Sequence, residues 1–197
     1  MEVVQMSKFE IIEEVTKRLL KRERDKAKNI IVSEYPFIKS EIFSRNYSLA
    51  QKMEVFMRDG FIDRYSGERL VIPGILKILS QYFPDEFPYH KNWKLSECHI
   101  AYWELSPTVD HIYPICLGGK DEESNWVTTS MLNNSIKSNW TLEQMRWNLY
   151  DKGDVLKWDG LTNRFIHLVE MDTQLLQDTY IKNWYRVAVK YRQQEEN

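Results

Sequence analysis

The feature that most limits what this chain can fold into is a short non-helical segment, residues 102–130, in an otherwise mostly helical sequence. Its stretch "TVDHIYPICLGG" is a β-branched, apolar run that ends at Asp110 and His111, before a proline and two glycines. This pattern predicts a strand that runs into a turn. A second extended stretch, "NWVTT", precedes a helix for which Ser130 is the expected N-cap. The segment therefore predicts a compact ββα unit.

Helical periodicity surrounds this segment. Before it, we expect one long helix within residues 7–30 and a second helix from Leu49 to Met57 that stops near a glycine. After it, we expect a short helix from Leu161 to Val169 and a final helix with one apolar face, formed by Leu176, Tyr180, Trp184, Val187 and Tyr191. The predicted fold class is α+β, with the ββα unit embedded in a mostly helical domain.

The 197 residues suit one globular unit that buries roughly 70% of the surface of its unfolded chain. Within it we distinguish an N-terminal helical region (1–58), a core region that contains the ββα unit (59–150) and C-terminal helices packed on that core (151–197). The start of the chain has no uninterrupted apolar stretch, and no run of 18 apolar residues occurs anywhere. We therefore expect a cytoplasmic protein that is not bound to a membrane.

Charge and cysteine content restrict the ligands that this chain can bind. The net charge is −2, so any nucleic-acid binding must be local rather than spread over a basic surface. The two cysteines, Cys98 and Cys116, cannot supply the paired arms of a zinc ribbon, and a partial zinc site with His90 and His99 fits no standard ligand spacing. Buried thiols are the preferred interpretation, and any metal must be held mainly by oxygen and imidazole.

A basic stripe is expected on the first helix. Lys17, Lys21, Arg24 and Lys28 follow one another at steps of four, three and four, which places them on one face of a continuous helix. A solvated face is the simpler interpretation, because Glu23 dilutes the charge. A surface that tracks phosphates is the alternative, and there Lys17 and Lys21 would contact nucleic acid.

The ββα unit carries an unusual concentration of polar residues. Asp110, His111, Asn125, Asn133, Asn134 and Lys137 all fall within 28 residues. Asparagine is a poor helix former, so two in succession on a short helix need a reason beyond helix propensity. An Asp-His pair alone is more often the polar end of a strand than a catalytic pair. The further residues at fixed spacing reverse that preference.

The stretch "VDHIYPICLGGKDEESNWVTTSMLNNSIKSNW" resembles the HNH endonucleases, whose active site is a ββα-metal unit. It contains Asp-His, Pro, Gly-Gly-x-Asp, Asn and Asn-x-x-Lys in that order. The 14 positions from His111 to Asn125 and the nine from Asn125 to Asn134 look like the spacing in the HNH domains of CRISPR effector nucleases. The preceding "DRYSGERL" also looks like bacterial HNH proteins, so the likeness extends over residues 58–150.

The resemblance implies a role for each of four residues. His111 would be the general base, Asn125 would orient its ring, and Asp110 and Asn134 would hold one Mg²⁺ or Mn²⁺ per site. Neutral imidazole can take a proton from water at cellular pH. Carboxylate and amide oxygens are hard donors that suit Mg²⁺. Adjacent strand residues point to opposite faces, so Asp110 and His111 can serve one phosphate only if the strand ends or bends there.

Other residues are candidates for contacts with nucleic acid. Lys137 lies one helical turn beyond Asn134 and could reach a phosphate oxygen. Further candidates are Asn133, Arg64, Tyr65 and Arg69, together with Lys17 and Lys21. Asn134 stands where many relatives have histidine, and the zinc-binding cysteines of many relatives are missing, so no zinc is expected. Trp126, Trp140 and Trp147 could stack on bases, although core packing is the simpler interpretation.

The predicted function is that of a metal-dependent HNH endonuclease, a hydrolase that cuts a DNA phosphodiester and leaves 5'-phosphate and 3'-hydroxyl ends. One ββα site cuts one strand at a time, so double-strand cleavage would need a homodimer or two encounters. A partner protein within a larger system is a further option. Two alternatives stay open at this point: a module with an HNH-like fold that binds nucleic acid without cutting it, and an RNA-directed or toxin-like nuclease.

Overall fold

A computed structural model describes residues 6–37 and 47–195 of the chain, and the side chains up to residue 192. Its contacts divide the chain into two compact units, Met1–Ile42 and Phe43–Asn197. The predicted N-terminal region 1–58 thus spans parts of both units. Among the described residues, no helix is both long and apolar enough to cross a membrane.

The first unit contains two helices where one long helix is predicted. Helix α1 (Lys8–Leu20) and helix α2 (Arg24–Glu34) are separated by a turn in which Arg22 has a φ of 60°. The turn lets Ala27 pack against Ile11 and Val15, which buries all three side chains. The prediction of a continuous helix within residues 7–30 is therefore wrong, and so is the single basic stripe.

The second unit consists mainly of helices. Before the sheet lie α3 (Leu49–Arg58), α4 (Pro73–Tyr82) and the short α5 (Ala101–Glu104). After the sheet lie α6 (Met131–Lys137), α7 (Leu142–Met145), α8 (Thr162–Met171) and α9 (Thr179–Glu195). The predicted helices at 49–57 and 161–169 correspond to α3 and α8, whereas α4 was not predicted.

The apolar core of this unit is built from helices that precede the sheet in the sequence and helices that follow it. Met53 and Phe56 of α3, Phe165 and Ile166 of α8, and Ile181 of α9 are fully buried in it. Val109 of the first strand joins the same core. The core therefore fixes α3 against the strand that ends at the predicted site residues.

Strands β1 (Pro107–His111) and β2 (Trp126–Ser130) form an antiparallel pair in which His111 lies opposite Trp126 and Pro107 lies opposite Ser130. Helix α6 follows β2 directly, and the Ser130 hydroxyl accepts a hydrogen bond from the Asn133 amide as the predicted N-cap. The predicted order of strand, loop, strand and helix is therefore observed. The fold combines helices with one small sheet, as expected for the α+β class.

Two buried aspartates hold β2 from the side opposite β1. The Asp59 carboxylate accepts a hydrogen bond of 2.8 Å from the Thr128 amide, and the Asp63 carboxylate accepts one of 2.9 Å from the Ser130 amide. Asp63 also accepts a bond from the Asn133 side chain on α6. These bonds replace a third strand, and they fix β2 and the start of α6 as one rigid piece.

Candidate active site

A surface pocket of about 410 Å³ lies at the end of β1. It brings together three of the four residues to which the HNH resemblance assigns the main roles, and it adds residues from α3 and from the turn after α6. The lining residues are Tyr47, Lys52, Thr108, Val109, Asp110, His111, Asn134, Ser138 and Asn139. Residues far apart in the sequence therefore share one concave surface.

Asp110 and His111 both line this pocket, and β1 ends at His111. Along β1 the residues alternate between buried and partly buried positions, and the chain bends directly after His111. A continuing strand would direct the two side chains to opposite faces. The strand end at His111 is the condition that the sequence sets for both side chains to serve one phosphate.

One carboxylate oxygen of Asp110 is held by two donors. The Tyr65 hydroxyl donates to Oδ2 at 2.7 Å, and the Lys137 ammonium lies 2.8 Å from the same atom. Burial and the nearby Asp110 carboxylate raise the pKa of Tyr65 well above its usual range, so the phenol keeps the proton that it donates. Within the described residues, the other oxygen, Oδ1, has no hydrogen-bond partner.

The imidazole of His111 is nearly fully buried, with 3% of the residue exposed. Its Nε2 lies 2.8 Å from Oδ1 of Asp121 and 3.1 Å from the Tyr47 hydroxyl. The Tyr47 hydroxyl donates its own proton to Asp121 at 2.8 Å. Because Asp121 can only accept while it is ionised, Nε2 carries the hydrogen of the neutral ring, and the basic lone pair lies on Nδ1.

Asp121 is a strong acceptor at this position. Burial raises the pKa of its carboxyl, but hydrogen bonds from His111, Tyr47 and Trp126 together outweigh burial and hold the pKa below its ordinary value. The indole of Trp126 donates to the same oxygen at 2.8 Å and packs edge-on against Tyr47, with 4.9 Å between the ring centroids. Asp121 therefore fixes both the tautomer and the orientation of the His111 ring.

Asn134 lines the pocket from the first turns of α6. Among the described residues its side-chain amide has no hydrogen-bond partner. The amide oxygen of Asn134 and the second carboxylate oxygen of Asp110 thus have no partner among the described residues, and both are hard donors of the kind that Mg²⁺ prefers. Among the described residues, no cluster of three or more His, Cys, Asp or Glu side chains could hold a metal. A site of one carboxylate and one amide is not such a cluster.

Asn125 has a different contact from the one expected. Its amide accepts a bond of 2.8 Å from the backbone N–H of Tyr113 and donates bonds of 2.9 Å to the carbonyls of Tyr113 and Lys120. Its own carbonyl accepts from the Ile112 amide. Asn125 therefore closes the loop between the strands, which carries Asp121, and any orienting of the His111 ring is exerted through that loop.

The loop is tightened further by two glycines. Gly118 has a φ of 95°, which favours glycine. A Cβ on Gly119 would lie 2.1 Å from the carbonyl oxygen of Tyr113, so no larger residue fits there. The glycines serve the turn, as predicted, and the turn brings Asp121 back to His111.

Lys137 is not available to a phosphate, in contrast to the prediction. The residue is 0% exposed, and its ammonium donates to the carbonyl of His111 at 2.7 Å besides pairing with Asp110. Lys137 lies one turn beyond Asn134, but it does not line the pocket, and its ammonium bonds the end of β1. It compensates the Asp110 charge within the protein.

In "DRYSGERL" the structure contradicts the predicted DNA contacts of Arg64 and Tyr65 and leaves that of Arg69 untested. Arg64 is buried and donates to the carbonyl of Tyr150, and Tyr65 is buried against Asp110. Arg69 is exposed and lies over the Trp158 ring, 5.1 Å from its centroid. Asn133 is engaged with Asp63. The first part of the segment braces the ββα unit, because Asp63 and Tyr65 are buried and bond the strands that follow.

The remaining candidates are two lysines of the first unit and three tryptophans of the second. Lys17 and Lys21 belong to the first unit, where Lys17 pairs with Glu13 at 2.9 Å. Trp140 is exposed in the turn that follows α6, whereas Trp147 packs near Tyr65, with 5.7 Å between the ring centroids. Trp126 is engaged with Asp121, as described above.

Sequence reasoning missed three residues of this site. Asp121 stands in the Gly-Gly-x-Asp part of the motif, which is a signal that could have given it a role. Tyr47 and Lys52 lie about 60 residues before His111, and no local pattern links them to the ββα unit. Only the packing of α3 on β1 brings them to the pocket.

Comparisons with models of protein families, with curated protein sequences and with solved structures gave no match to this chain.

Proposed function

We propose that this protein is a metal-dependent endonuclease of the HNH type that hydrolyses phosphodiester bonds in DNA. The observation that supports this proposal best is the convergence of Asp110, His111 and Asn134 on one pocket. The sequence spacing suggested these residues, and the folded chain brings them to one surface. The pocket also holds a hydrogen-bonded imidazole and two oxygen donors without a partner among the described residues.

In the proposed reaction, the Nδ1 atom of His111 takes a proton from a water molecule. The water oxygen then forms a bond to phosphorus while the bond from phosphorus to the 3' oxygen breaks, and the leaving oxygen gains a proton from solvent. The products are a 5'-phosphate and a 3'-hydroxyl. Asp121 stabilises the imidazolium that forms, since its carboxylate faces the protonated Nε2 at 2.8 Å.

Asp110 and Asn134 would hold the metal ion. When bound, Mg²⁺ or Mn²⁺ would stabilise the negative charge that develops on the phosphate oxygens and on the leaving oxygen. Lys137 and Tyr65 would keep Asp110 oriented through Oδ2, which leaves Oδ1 for the ion. Titration with Mn²⁺ followed by electron paramagnetic resonance tests this assignment without any substrate. We expect Asn134→Ala to weaken binding and Asn163→Ala, an exposed asparagine on α8, to leave it unchanged.

The activity is tested by incubating the protein with Mg²⁺ or Mn²⁺ and a panel of supercoiled plasmid, linear duplex, single-stranded DNA and matched RNA. His111→Ala is the inactive variant, and His167→Ala, an exposed histidine on α8, is the matched control. We expect His111→Ala to lower the rate by a factor of about 10² to 10⁴, the usual contribution of a general base. Intact DNA after incubation with the wild type, or equal cleavage by His111→Ala, would reject the proposal.

A further inference from the structure

Lys52 is a lysine of the pocket that none of the proposed chemical steps uses. It lies in the first turns of α3 and lines the pocket together with Asp110, His111 and Asn134. The helix around it is firmly placed. Ser48 caps its start with Gln51 as the reciprocal partner, and Met53 and Phe56 are fully buried in the core. The backbone that carries Lys52 is therefore fixed relative to the strand end.

The ammonium of Lys52 has no ion pair or hydrogen bond with any described residue. It is also only partly exposed, and burial lowers the pKa of this lysine. Removing an ammonium from water without an opposite charge costs free energy. An anion in the pocket would supply the missing charge, and a phosphate oxygen is a suitable acceptor for a lysine acting as a point charge.

We infer that Lys52 binds a non-bridging oxygen of the phosphate held in this pocket, and that it is the cationic contact that the sequence assigns to Lys137. This inference rests on the proposed nuclease function. It goes beyond that function by naming a substrate contact from α3, outside the ββα unit. The contact would come from α3, whereas Asn134 comes from α6.

The first test is DNA binding in EDTA, where no cleavage can occur. The affinity of a short fluorescein-labelled DNA duplex is measured by fluorescence anisotropy at several salt concentrations. For Lys52→Gln we expect weaker binding. We also expect the logarithm of the association constant to fall less steeply with the logarithm of the salt concentration, by a slope difference of about 0.9, the value for one lost phosphate contact. Lys182→Gln, which removes the same charge from an exposed position on α9, should leave the slope unchanged.

The second test is single-turnover cleavage with Mg²⁺. We expect Lys52→Gln to be slower by about ten- to a hundred-fold, the loss expected for one charged hydrogen bond, and Lys52→Arg to recover part of the rate. Thermal unfolding of each variant separates this effect from misfolding. If Lys52→Gln matches the wild type in both slope and rate, the inference is overturned.

The outcomes for Lys52 and for the nuclease activity are distinguishable. A wild type that cuts DNA, with Lys52→Gln unchanged, removes only the inference about Lys52. A wild type that binds DNA with the expected difference in slope but never cuts it supports the phosphate contact and rejects the nuclease. A wild type that neither binds nor cuts DNA overturns both.

Discussion

Two lysines lie at the pocket that Asp110 lines, one lining it and one paired with Asp110, and their environments are opposite. Lys137, on α6, is fully buried and compensated by Asp110 and by the carbonyl of His111. Lys52, on α3, faces the pocket and has no acidic partner among the described residues. A compensated buried cation contributes to the fold, whereas an uncompensated one is available to a ligand. The two lysines therefore differ in role: Lys137 stabilises the fold, and Lys52 is available for binding.

The largest expected effect is that of Lys137→Met. This change leaves the Asp110 carboxylate without its cation and the His111 carbonyl without its donor. We expect it to lower the free energy of unfolding by about 3–5 kcal/mol, the usual result of breaking a buried ion pair from one side. Urea denaturation measures the change. The double variant Lys137→Met with Asp110→Asn should regain part of the loss, and a single variant as stable as the wild type would show that the pair is not structural.

Asp121→Asn tests the carboxylate that bonds Nε2 of His111 in the pocket. An amide in place of Asp121 offers a weaker acceptor to Nε2 of His111 and does not stabilise an imidazolium. We expect cleavage to slow by about 10- to 100-fold, as for other outer residues that orient a histidine. Asp151→Asn, in an exposed loop, is the matched control for a lost carboxylate. Equal rates for Asp121→Asn and the wild type would mean that the ring needs no such partner.

Tyr65→Phe tests the second donor to Asp110, which is buried like Lys137. The variant removes only the hydroxyl that donates to Asp110 at 2.7 Å. We expect the free energy of unfolding to fall by about 1 kcal/mol, the usual value of one buried hydrogen bond. DNA affinity in EDTA should not change, because the side chain is buried. A selective loss of DNA affinity with unchanged stability would instead support the contact that the sequence suggested.

The smallest expected effect on stability is that of Lys52→Met. Removing an uncompensated ammonium loses no ion pair and relieves its partial burial. We therefore expect a midpoint of thermal unfolding at or above that of the wild type, together with weaker DNA binding. A clear fall in the midpoint would show that Lys52 is needed for the fold, which would remove the contrast with Lys137.

The contrast also shows what the sequence can predict here. The ββα order follows from local signals, namely a β-branched run, a proline with two glycines and a serine N-cap, and each depends on residues close in the sequence. The helix spacing places Lys137 near Asn134, but its burial depends on Asp110, which belongs to another element. Tyr47 and Lys52 reach the site only through packing of α3 on the strands, and no periodicity encodes that contact.

The prediction of one continuous helix across α1 and α2 failed for a related reason. No glycine or proline marks it, and the helical pattern runs through the turn without interruption. The turn is stabilised by packing of Ala27 on Ile11 and Val15, a contact between the two helices that it separates. The sequence assigns Asn125 to orienting the His111 ring, but its amide bonds the loop backbone next to it rather than the ring.

The central claim is that the pocket at the end of β1 is a metal-dependent nuclease centre. It is tested most directly by single-turnover cleavage of a labelled DNA strand in Mn²⁺ by the wild type, Asn134→Ala and Asn163→Ala. The account predicts that the wild type and Asn163→Ala cut alike and that Asn134→Ala is slower by a factor of about 100, as expected when one oxygen ligand of a catalytic metal is lost. Cleavage by Asn134→Ala at the rate of the wild type, or no cleavage by any of the three proteins, would contradict it.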